Sequence, residues 1–242
     1  MGSAPVDGGA AAEVRDGADR APPSHDPDAH DPDAHDPDAA LARACEVLAR
    51  AERVLLTSHR RPDGDGTGSM AGLASLLRAA GKTAVIYSLD PIARRYKWLP
   101  LIHTTVQTIS FDERFDCTIV VDCADITLLG DTLPPPEVCG TLITLDHHAS
   151  GRPFGDIAVW DPAAAAVGVL VHRLALRQGW PVTVEAAVPL YVSLISDTYS
   201  GIAASMVSGQ PWRTAIRWTS TPTAAAVGSH TAMSPNGWPL AW

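Results

Sequence analysis

Residues 53–69 read RVLLTSHRRPDGDGTGS, and this stretch decides the fold. It opens with a short apolar run, Arg53–Ser58, that has the length and composition of a buried strand. A turn rich in glycine and acidic residues follows. From Met70 to Ala80 leucines then recur at helical spacing, and Gly81 ends the pattern. A strand, a polar turn and a helix in this order are typical of an α/β domain.

The turn between this strand and this helix concentrates metal ligands. His59, Asp63 and Asp65 lie within seven residues, and we expect the two carboxylates to serve different metal ions. Three glycines in the turn allow a ligand to approach the backbone closely. Thr67 or Ser69 is expected to cap the helix, whose N-terminus favours an anion such as phosphate.

The rest of the domain repeats the alternation of strand and helix. Apolar runs without alternation indicate parallel strands buried on both faces, so the predicted fold class is α/β, a parallel sheet with helices on both faces. In such sheets the ligand crevice lies beyond the carboxyl ends of the strands. The further predicted strands are Thr83–Ser88, Cys117–Val121 and Thr141–Leu145, and the further helices are Leu41–Ala51, Pro162 to Gly179 and Val184–Ile195.

Metal ligands also follow the later strands. Asp122 comes directly after one strand, and Asp146, His147 and His148 come directly after the next. Asp122 is the natural bridging ligand between two ions ~3.5–4 Å apart. One of the adjacent histidines can bind metal while the other contacts phosphate or donates a proton. Asp197 would reach the crevice from the end of a helix, and the whole set predicts metal-assisted hydrolysis of a phosphate ester.

Composition divides the chain into three parts. Residues 1–40 contain the pentapeptide His-Asp-Pro-Asp-Ala three times and almost no large apolar residues, so a disordered acidic tail is expected. Residues 41–200 are the predicted catalytic domain. Residues 201–242 contain no Asp, Glu or Lys and show no sustained period, so we expect an irregular tail and no recognisable second domain. Its composition suggests a truncated, fused or frame-shifted coding region.

Charge and cysteine usage exclude several functions. The formal net charge is −9, but residues 1–40 hold ten acidic residues and two arginines, so the remainder is close to neutral. A nearly neutral domain gives no support for binding long duplex nucleic acid. No apolar run reaches the length of a membrane span, and no signal peptide is recognisable. The four cysteines form no Cys-x-x-Cys pair and fit reduced thiols in a cytoplasmic protein.

The order of these motifs resembles a known superfamily. His-x3-Asp-x-Asp, a lone Asp, Asp-His-His and a final Asp, in this sequence, are similar to the motifs of the DHH phosphoesterases. The stretches Pro62–Ser69 and Pro91–Pro100 most resemble the nano-RNase branch. The resemblance implies a Rossmann-like domain, with short oligonucleotides or small nucleotides such as adenosine 3′,5′-bisphosphate as substrates.

The resemblance also implies a cofactor and a role for each motif residue. Two manganese ions (Mn²⁺) would be held, with Asp146 orienting His147 and with His148 contacting phosphate or acting as the acid. Arg60 and Arg61 are weaker candidates for contacts with substrate phosphates. The implied ligand sets are His59, Asp63 and Asp122 for one ion, and Asp65, Asp122, His147 and Asp197 for the other.

Departures from the family pattern leave alternatives open. Tyr199 stands where relatives have a glycine after Asp-Thr, and nothing after residue 197 resembles the second domain that grips the nucleotide, so we expect impaired activity. A cyclic-dinucleotide phosphodiesterase or an inorganic pyrophosphatase would use nearly the same ligands. A non-catalytic nucleotide-binding remnant also stays open, as does a homodimer.

Overall fold

The computed structural model contains a five-stranded parallel sheet. It describes residues 36–130 and 133–208, without the side chains of residues 200–208. The strand order is β2-β1-β3-β4-β5. The predicted α/β class with a parallel sheet is thus confirmed. The strands are β1 Arg53–Ser58, β2 Thr83–Ile86, β3 Cys117–Val121, β4 Thr141–Asp146 and β5 Ile157–Trp160; the helices are α1 Pro37–Arg50, α2 Gly64–Ala79, α3 Pro136–Cys139, α4 Val167–Gln178 and α5 Val184–Ser208.

The strands form where both faces of a segment are apolar. β3 is buried at all five positions, as is β1 from Val54 onward. Strand β5 was not predicted from the sequence, because it is only four residues long and alternates between buried and half-buried positions. It pairs in parallel with β4 and forms one edge of the sheet.

Helix α1 begins inside the segment that we expected to be disordered. The Asp36 side chain accepts a hydrogen bond from the backbone N–H of Asp38, and Pro37 occupies the first turn. Asp38 also forms ion pairs with Arg173 and Arg177 of α4. The third His-Asp-Pro-Asp-Ala copy therefore supplies a helix cap, and the predicted boundary at residue 40 is wrong. Residues 1–35 lie outside the described residues.

Helices α2 and α4 begin at different residues from those predicted. Asp63 caps α2, because its Oδ1 accepts from the N–H groups of Asp65 and Gly66, so the helix starts six residues before Met70. Thr67 and Ser69 are therefore inside the helix and not at its cap. Before α4, the Asp161 carboxylate accepts from the N–H of Ala163 and holds a turn, which delays the helix beyond Pro162.

Helix α5 is longer than predicted. It continues without interruption from Val184 to Ser208, so Asp197 lies within the helix and not at its end. The irregular tail predicted from residue 201 is thus wrong for residues 201–208. The alanines at 203 and 204 are strong helix formers, but the prediction of an irregular tail rested on the absence of Asp, Glu and Lys. Residues 209–242 lie outside the described residues.

The four long helices share one face of the sheet. Apolar side chains of α1, α2, α4 and α5 form one core with alternate strand residues such as Leu56 and Ile119. The opposite face is covered by short segments, since Val138 of α3 packs near Leu55, and Leu129 packs near Val120. Among the described residues, no helix combines the length and apolar character needed to cross a bilayer.

Candidate metal centre

Strand register places three predicted ligands side by side. Ser58 of β1 pairs with Val121 of β3, and Val121 pairs with Leu145 of β4. The residues that directly follow Ser58, Val121 and Leu145 are His59, Asp122 and Asp146. These three side chains, which are distant in sequence, start from one edge of the sheet, as the parallel topology requires.

Asp122 adopts a backbone conformation that suits its position. Its φ is +56°, a left-handed value that Asp tolerates better than most residues do. Its backbone N–H still donates to the Leu145 carbonyl at 3.0 Å, and the side chain is buried. The first turn of α2 approaches so closely that a Cβ on Gly66 would lie 3.3 Å from Asp122 Oδ2 and would collide with the Ser58 hydroxyl. Glycine at position 66 thus lets the two elements converge.

The first ligand group comprises His59, Asp63 and Asp122, whose ligand atoms lie within 4.8 Å of one another. His59 Nε2 is 3.5 Å from Asp122 Oδ2, while His59 Nδ1 is 2.8 Å from the Arg60 carbonyl oxygen. A carbonyl oxygen can only accept, so Nδ1 carries the proton and Nε2 faces the carboxylates. The hydrogen bond with Asp122 raises the pKa of His59 to about 9.

The second ligand group comprises Asp65, His147 and Asp197, again with ligand atoms within 4.8 Å. His147 Nε2 is 2.8 Å from Asp197 Oδ2 and 3.4 Å from Asp65 Oδ2. The Ala164 carbonyl oxygen lies 3.1 Å from His147 Nδ1 and fixes the ring. This group joins three elements, since Asp65 lies on α2, His147 follows β4 and Asp197 lies on α5.

Asp122 and His147 connect the two groups. The ligand atoms of Asp122, His147 and His148 form a third set within 4.8 Å. Asp122 therefore lies near ligand atoms of both groups, the position expected of a bridging ligand. The six predicted metal ligands converge at this centre: His59, Asp63, Asp65, Asp122, His147 and Asp197.

The electrostatics of the centre fit a divalent cation. Burial raises the pKa of Asp65, and the nearby charge of Asp122 raises it further. Burial disfavours a charged His147, yet the close Asp197 and Asp65 carboxylates prevail and raise its pKa to about 9. His147 Nε2 is buried and has no hydrogen bond of acceptable geometry to the described residues, although Asp197 Oδ2 is close. An imidazole nitrogen so placed among carboxylates has the donor chemistry of a metal ligand.

Asp146 orients a different histidine from the one expected. Its Oδ1 lies 2.8 Å from His148 Nδ1, and its Oδ2 accepts from the His148 backbone N–H at 3.2 Å. The expectation that Asp146 orients His147 is therefore wrong, because Ala164 holds that ring. His148 is half-exposed and 3.8 Å from Asp122 Oδ1, and the hydrogen bond to Asp146 raises its pKa.

The two weaker candidates, Arg60 and Arg61, lie beside the first group. Arg60 already forms an ion pair with Asp90, with Nε 3.2 Å from Oδ2. The Arg61 backbone N–H donates to the same oxygen at 3.0 Å, and its φ is +53°. The Arg61 side chain is exposed and has no ion-pair partner among residues 36–130 and 133–208. Of the two, only Arg61 presents a free guanidinium group.

Two serines that hold a candidate ligand in place were not predicted from the sequence. Ser69 and Ser193 both donate to Asp65 Oδ1, at 3.0 and 2.6 Å. Each serine lies four residues from a ligand on the same helix, Ser69 after Asp65 and Ser193 before Asp197. This spacing, which places two side chains on one helical face, could have identified both.

A short segment between β2 and β3 borders the centre. The Tyr96 hydroxyl lies 2.9 Å from the point where a Cβ on Gly64, the residue after the ligand Asp63, would stand. The Arg95 guanidinium carbon lies 4.9 Å from the centroid of the Tyr96 ring. Next to them Trp98 is 63% exposed, a high value for so large an apolar side chain.

Comparison with known proteins agrees with this geometry. The model of the DHH family, N-terminal domain, matches residues 53–202. The bifunctional oligoribonuclease and PAP phosphatase NrnA of Thermus thermophilus is 31% identical over 160 residues, which cover 63% of this chain and 46% of that protein. The protein of the same name from Bacillus subtilis is 26% identical over 150 residues, covering 61% of this chain and 46% of that protein. The chain spans about half the length of the curated relatives it matches.

A solved structure supports the fold. The crystal structure of an exopolyphosphatase-related protein from Bacteroides fragilis matches with a TM-score of 0.59 and 21% sequence identity. The match covers 74% of this chain and 60% of the other. At this level of identity the likeness shows the fold alone.

Proposed function

Because the chain belongs to the DHH family, we propose that it is a metal-dependent phosphoesterase that hydrolyses short oligonucleotides or small nucleotides such as adenosine 3′,5′-bisphosphate. One observation carries the proposal. Six carboxylate and imidazole side chains from four separate chain segments converge in two adjacent groups at the carboxyl edge of the sheet. Groups of this composition are suited to hard and borderline divalent ions such as Mn²⁺.

The residues divide into two positions for Mn²⁺. His59, Asp63 and Asp122 would hold one ion; Asp65, His147 and Asp197 would hold the other, with Asp122 reaching toward both. Two bound divalent ions would supply charge neutralisation of the phosphate and a water of lowered pKa for attack on phosphorus. The Nδ1 contacts of His59 and His147 direct Nε2 of each ring toward the carboxylates of its group, where it could bind an ion.

His148 is assigned the proton transfer. Asp146 Oδ1 accepts from Nδ1–H of the imidazolium, which places the transferable proton on Nε2. The hydrogen bond to Asp146 raises the pKa of His148 and so favours the protonated ring, and its half-exposed position leaves the ring accessible to substrate. His148 would protonate the leaving oxygen, and Asp146 would orient it as a positioning residue.

The segment Arg94–Trp98 supports a nucleotide substrate. Arg94, Arg95, Lys97 and Trp98 are all exposed, and the three cations have no acidic partner among the described residues. The Tyr96 hydroxyl places this segment next to Gly64 in the first turn of α2. An exposed indole beside unpaired cations suits the stacking of a base and the attraction of backbone phosphates.

The test is hydrolysis of a substrate panel by the 242-residue chain, with Mn²⁺, Mg²⁺ or Zn²⁺ added after treatment with chelator. The panel contains a dinucleotide, adenosine 3′,5′-bisphosphate, a cyclic dinucleotide and pyrophosphate. We expect Mn²⁺ to restore activity on the first two, and Asp122→Asn to remain inactive at every metal concentration. No metal-dependent hydrolysis of any of the four would contradict the proposal, and hydrolysis of pyrophosphate alone would reassign the substrate.

A further inference from the structure

Ser193 lies where three helices meet behind the second ligand group. It is on α5, four residues before Asp197, and its side chain is fully buried. Its hydroxyl contacts Asp65 of α2 and the N-terminus of α4. Ser193 therefore shares one face of α5 with the ligand Asp197 while it bonds directly to another ligand, Asp65.

The hydrogen bonds determine what the Ser193 hydroxyl does. The backbone N–H of Gly168 donates to Ser193 Oγ at 2.9 Å, so the hydroxyl proton is available for Asp65 Oδ1, 2.6 Å away. On the other oxygen of Asp65, the N–H of Val167 donates to Oδ2 at 2.8 Å. Each carboxylate oxygen thus has a fixed donor, which prevents rotation of the carboxylate. Oδ2 is also the oxygen that lies 3.4 Å from His147 Nε2.

Two glycines lock Ser193 itself in position. A Cβ on Gly68 of α2 would lie 2.7 Å from the Ser193 backbone nitrogen. A Cβ on Gly168 of α4 would lie 2.9 Å from the Ser193 Cβ and would collide with its hydroxyl. The helices can approach this closely only because both positions lack a side chain. Ser193 thus has no room to move away from Asp65.

The first ligand group is held by different means. His59 and Asp122 follow adjacent strands whose register is set by the backbone ladder, and Asp63 is held as the cap of α2. None of the three has a hydrogen bond to Ser193 among the described contacts. The second group, by contrast, joins two helices and a loop, and the hydrogen bond from Ser193 to Asp65 connects those helices.

We propose that Ser193 is a positioning residue that sets the second metal position selectively. By holding Asp65 and the segment that carries Asp197 in one geometry, it raises the affinity of the Asp65–His147–Asp197 group for a divalent ion. It leaves the His59–Asp63–Asp122 group unaffected. This inference rests on the metal centre proposed above.

The experiment compares Ser193→Ala with Ser75→Ala in the full chain. Ser75 is a matched control, because it is also buried and, among the described residues, its hydroxyl bonds only to the Ala71 carbonyl of its own helix. Mn²⁺ is titrated into chelator-treated protein by calorimetry, and the electron paramagnetic resonance spectrum distinguishes isolated Mn²⁺ from a coupled pair. Thermal melting of the metal-free proteins compares their folds.

We expect Ser193→Ala to weaken one of two Mn²⁺ binding steps by about 10–100-fold, the usual effect of removing a partner that orients a metal ligand. The coupled signal should be lost at Mn²⁺ concentrations that still saturate the other step. Ser75→Ala should retain both steps. If Ser193→Ala fails to fold, Ser69→Ala removes the other donor to Asp65 Oδ1 and should weaken the same step.

Three results would overturn the assignment. Two unchanged binding steps in folded Ser193→Ala would show that the hydroxyl does not set the site. Where Ser193→Ala does not fold, two unchanged steps in Ser69→Ala would show that the linked serine hydroxyls on Asp65 do not set it, because Ser69 Oγ also donates to Ser193 Oγ at 3.3 Å. Equal weakening of both steps would show that its effect is not selective. A parent chain that binds no Mn²⁺ would overturn the proposed metal centre and, with it, the role of Ser193. If the parent chain shows two Mn²⁺ binding steps, a negative result for the variant contradicts only the role of Ser193.

Discussion

Asp146 Oδ1 lies 2.8 Å from Nδ1 of His148, the residue two positions further along the chain. The same carboxylate accepts from the His148 backbone N–H, so it fixes both the ring and the turn that carries it. In the proposed mechanism this contact determines which ring nitrogen holds the transferable proton.

The first prediction concerns this pair. His148→Ala should retain bound metal and lose ~10²–10⁴-fold in rate, because the acid that protonates the leaving oxygen is removed. Asp146→Asn should lose less, and the double variant should be no slower than His148→Ala, because Asp146 acts through His148. Rates on adenosine 3′,5′-bisphosphate and metal content by elemental analysis are the measurements. A double variant much slower than His148→Ala would give Asp146 a separate role.

The second prediction concerns metal stoichiometry. Asp122 lies near both ligand groups, so Asp122→Asn should lose both ions, whereas Asp63→Ala should lose only one. Asparagine is chosen at position 122 because it tolerates the left-handed backbone there. Elemental analysis after dialysis counts the retained ions. Two retained ions in Asp122→Asn would remove its bridging role.

The third prediction concerns Trp98. If its exposed indole stacks on a base, Trp98→Ala should lose ~1–3 kcal/mol of oligonucleotide binding, which is about 5–150-fold in KM. Hydrolysis of bis-p-nitrophenyl phosphate, which has no base, should be unchanged. Phe111→Ala is the control, since Phe111 is 72% exposed but lies outside the Arg94–Trp98 segment. Equal effects of the two variants on dinucleotide KM would exclude a base-binding role.

The fourth prediction concerns the thiols, all four of which are free. Burial raises the pKa of Cys117 and of Cys123 to about 12, so the reactive thiolate is scarce at pH 8. Alkylation by iodoacetamide at that pH should leave both unmodified in the native chain, with the half-buried Cys45 reacting first. In denaturant all four should react, and mass spectrometry of peptides locates the label. Rapid native labelling of Cys117 would contradict its burial.

The fifth prediction tests the start of α1. Asp36→Ala removes the side chain that caps the helix and should destabilise the fold by about 1 kcal/mol, within the 0.5–2 kcal/mol range of such caps. Glu46→Ala, an exposed acidic residue on the same helix, is the control and should have little effect. Urea unfolding measures both free energies. If Asp36→Ala and the parent chain have the same urea midpoint, the Asp36 cap does not contribute to stability.

Several features were predictable because they depend on local pattern. Arg53–Ser58 and Cys117–Val121 were predicted at their observed bounds, since their apolar residues are consecutive and turn residues end them. The convergence of His59 and Asp122 followed from parallel topology, because strands that run in one direction end at one edge. By contrast, the composition after Asp197 indicated a break where the helix continues to Ser208.

The sequence by itself determined which residue types stand at the ends of the strands, and so the chemistry that the centre can perform. Only the tertiary structure decided how these residues pair. Asp146 bonds to His148, and the Ala164 carbonyl holds His147, because ring orientation depends on contacts from other segments. The spacing of Ser193 and Asp197 places both on one face of α5, but the contacts of Ser193 with Asp65 and with the start of α4 required the approach of three helices. Ligand identity is a property of the chain, whereas ligand geometry arises from the packing of elements distant in sequence.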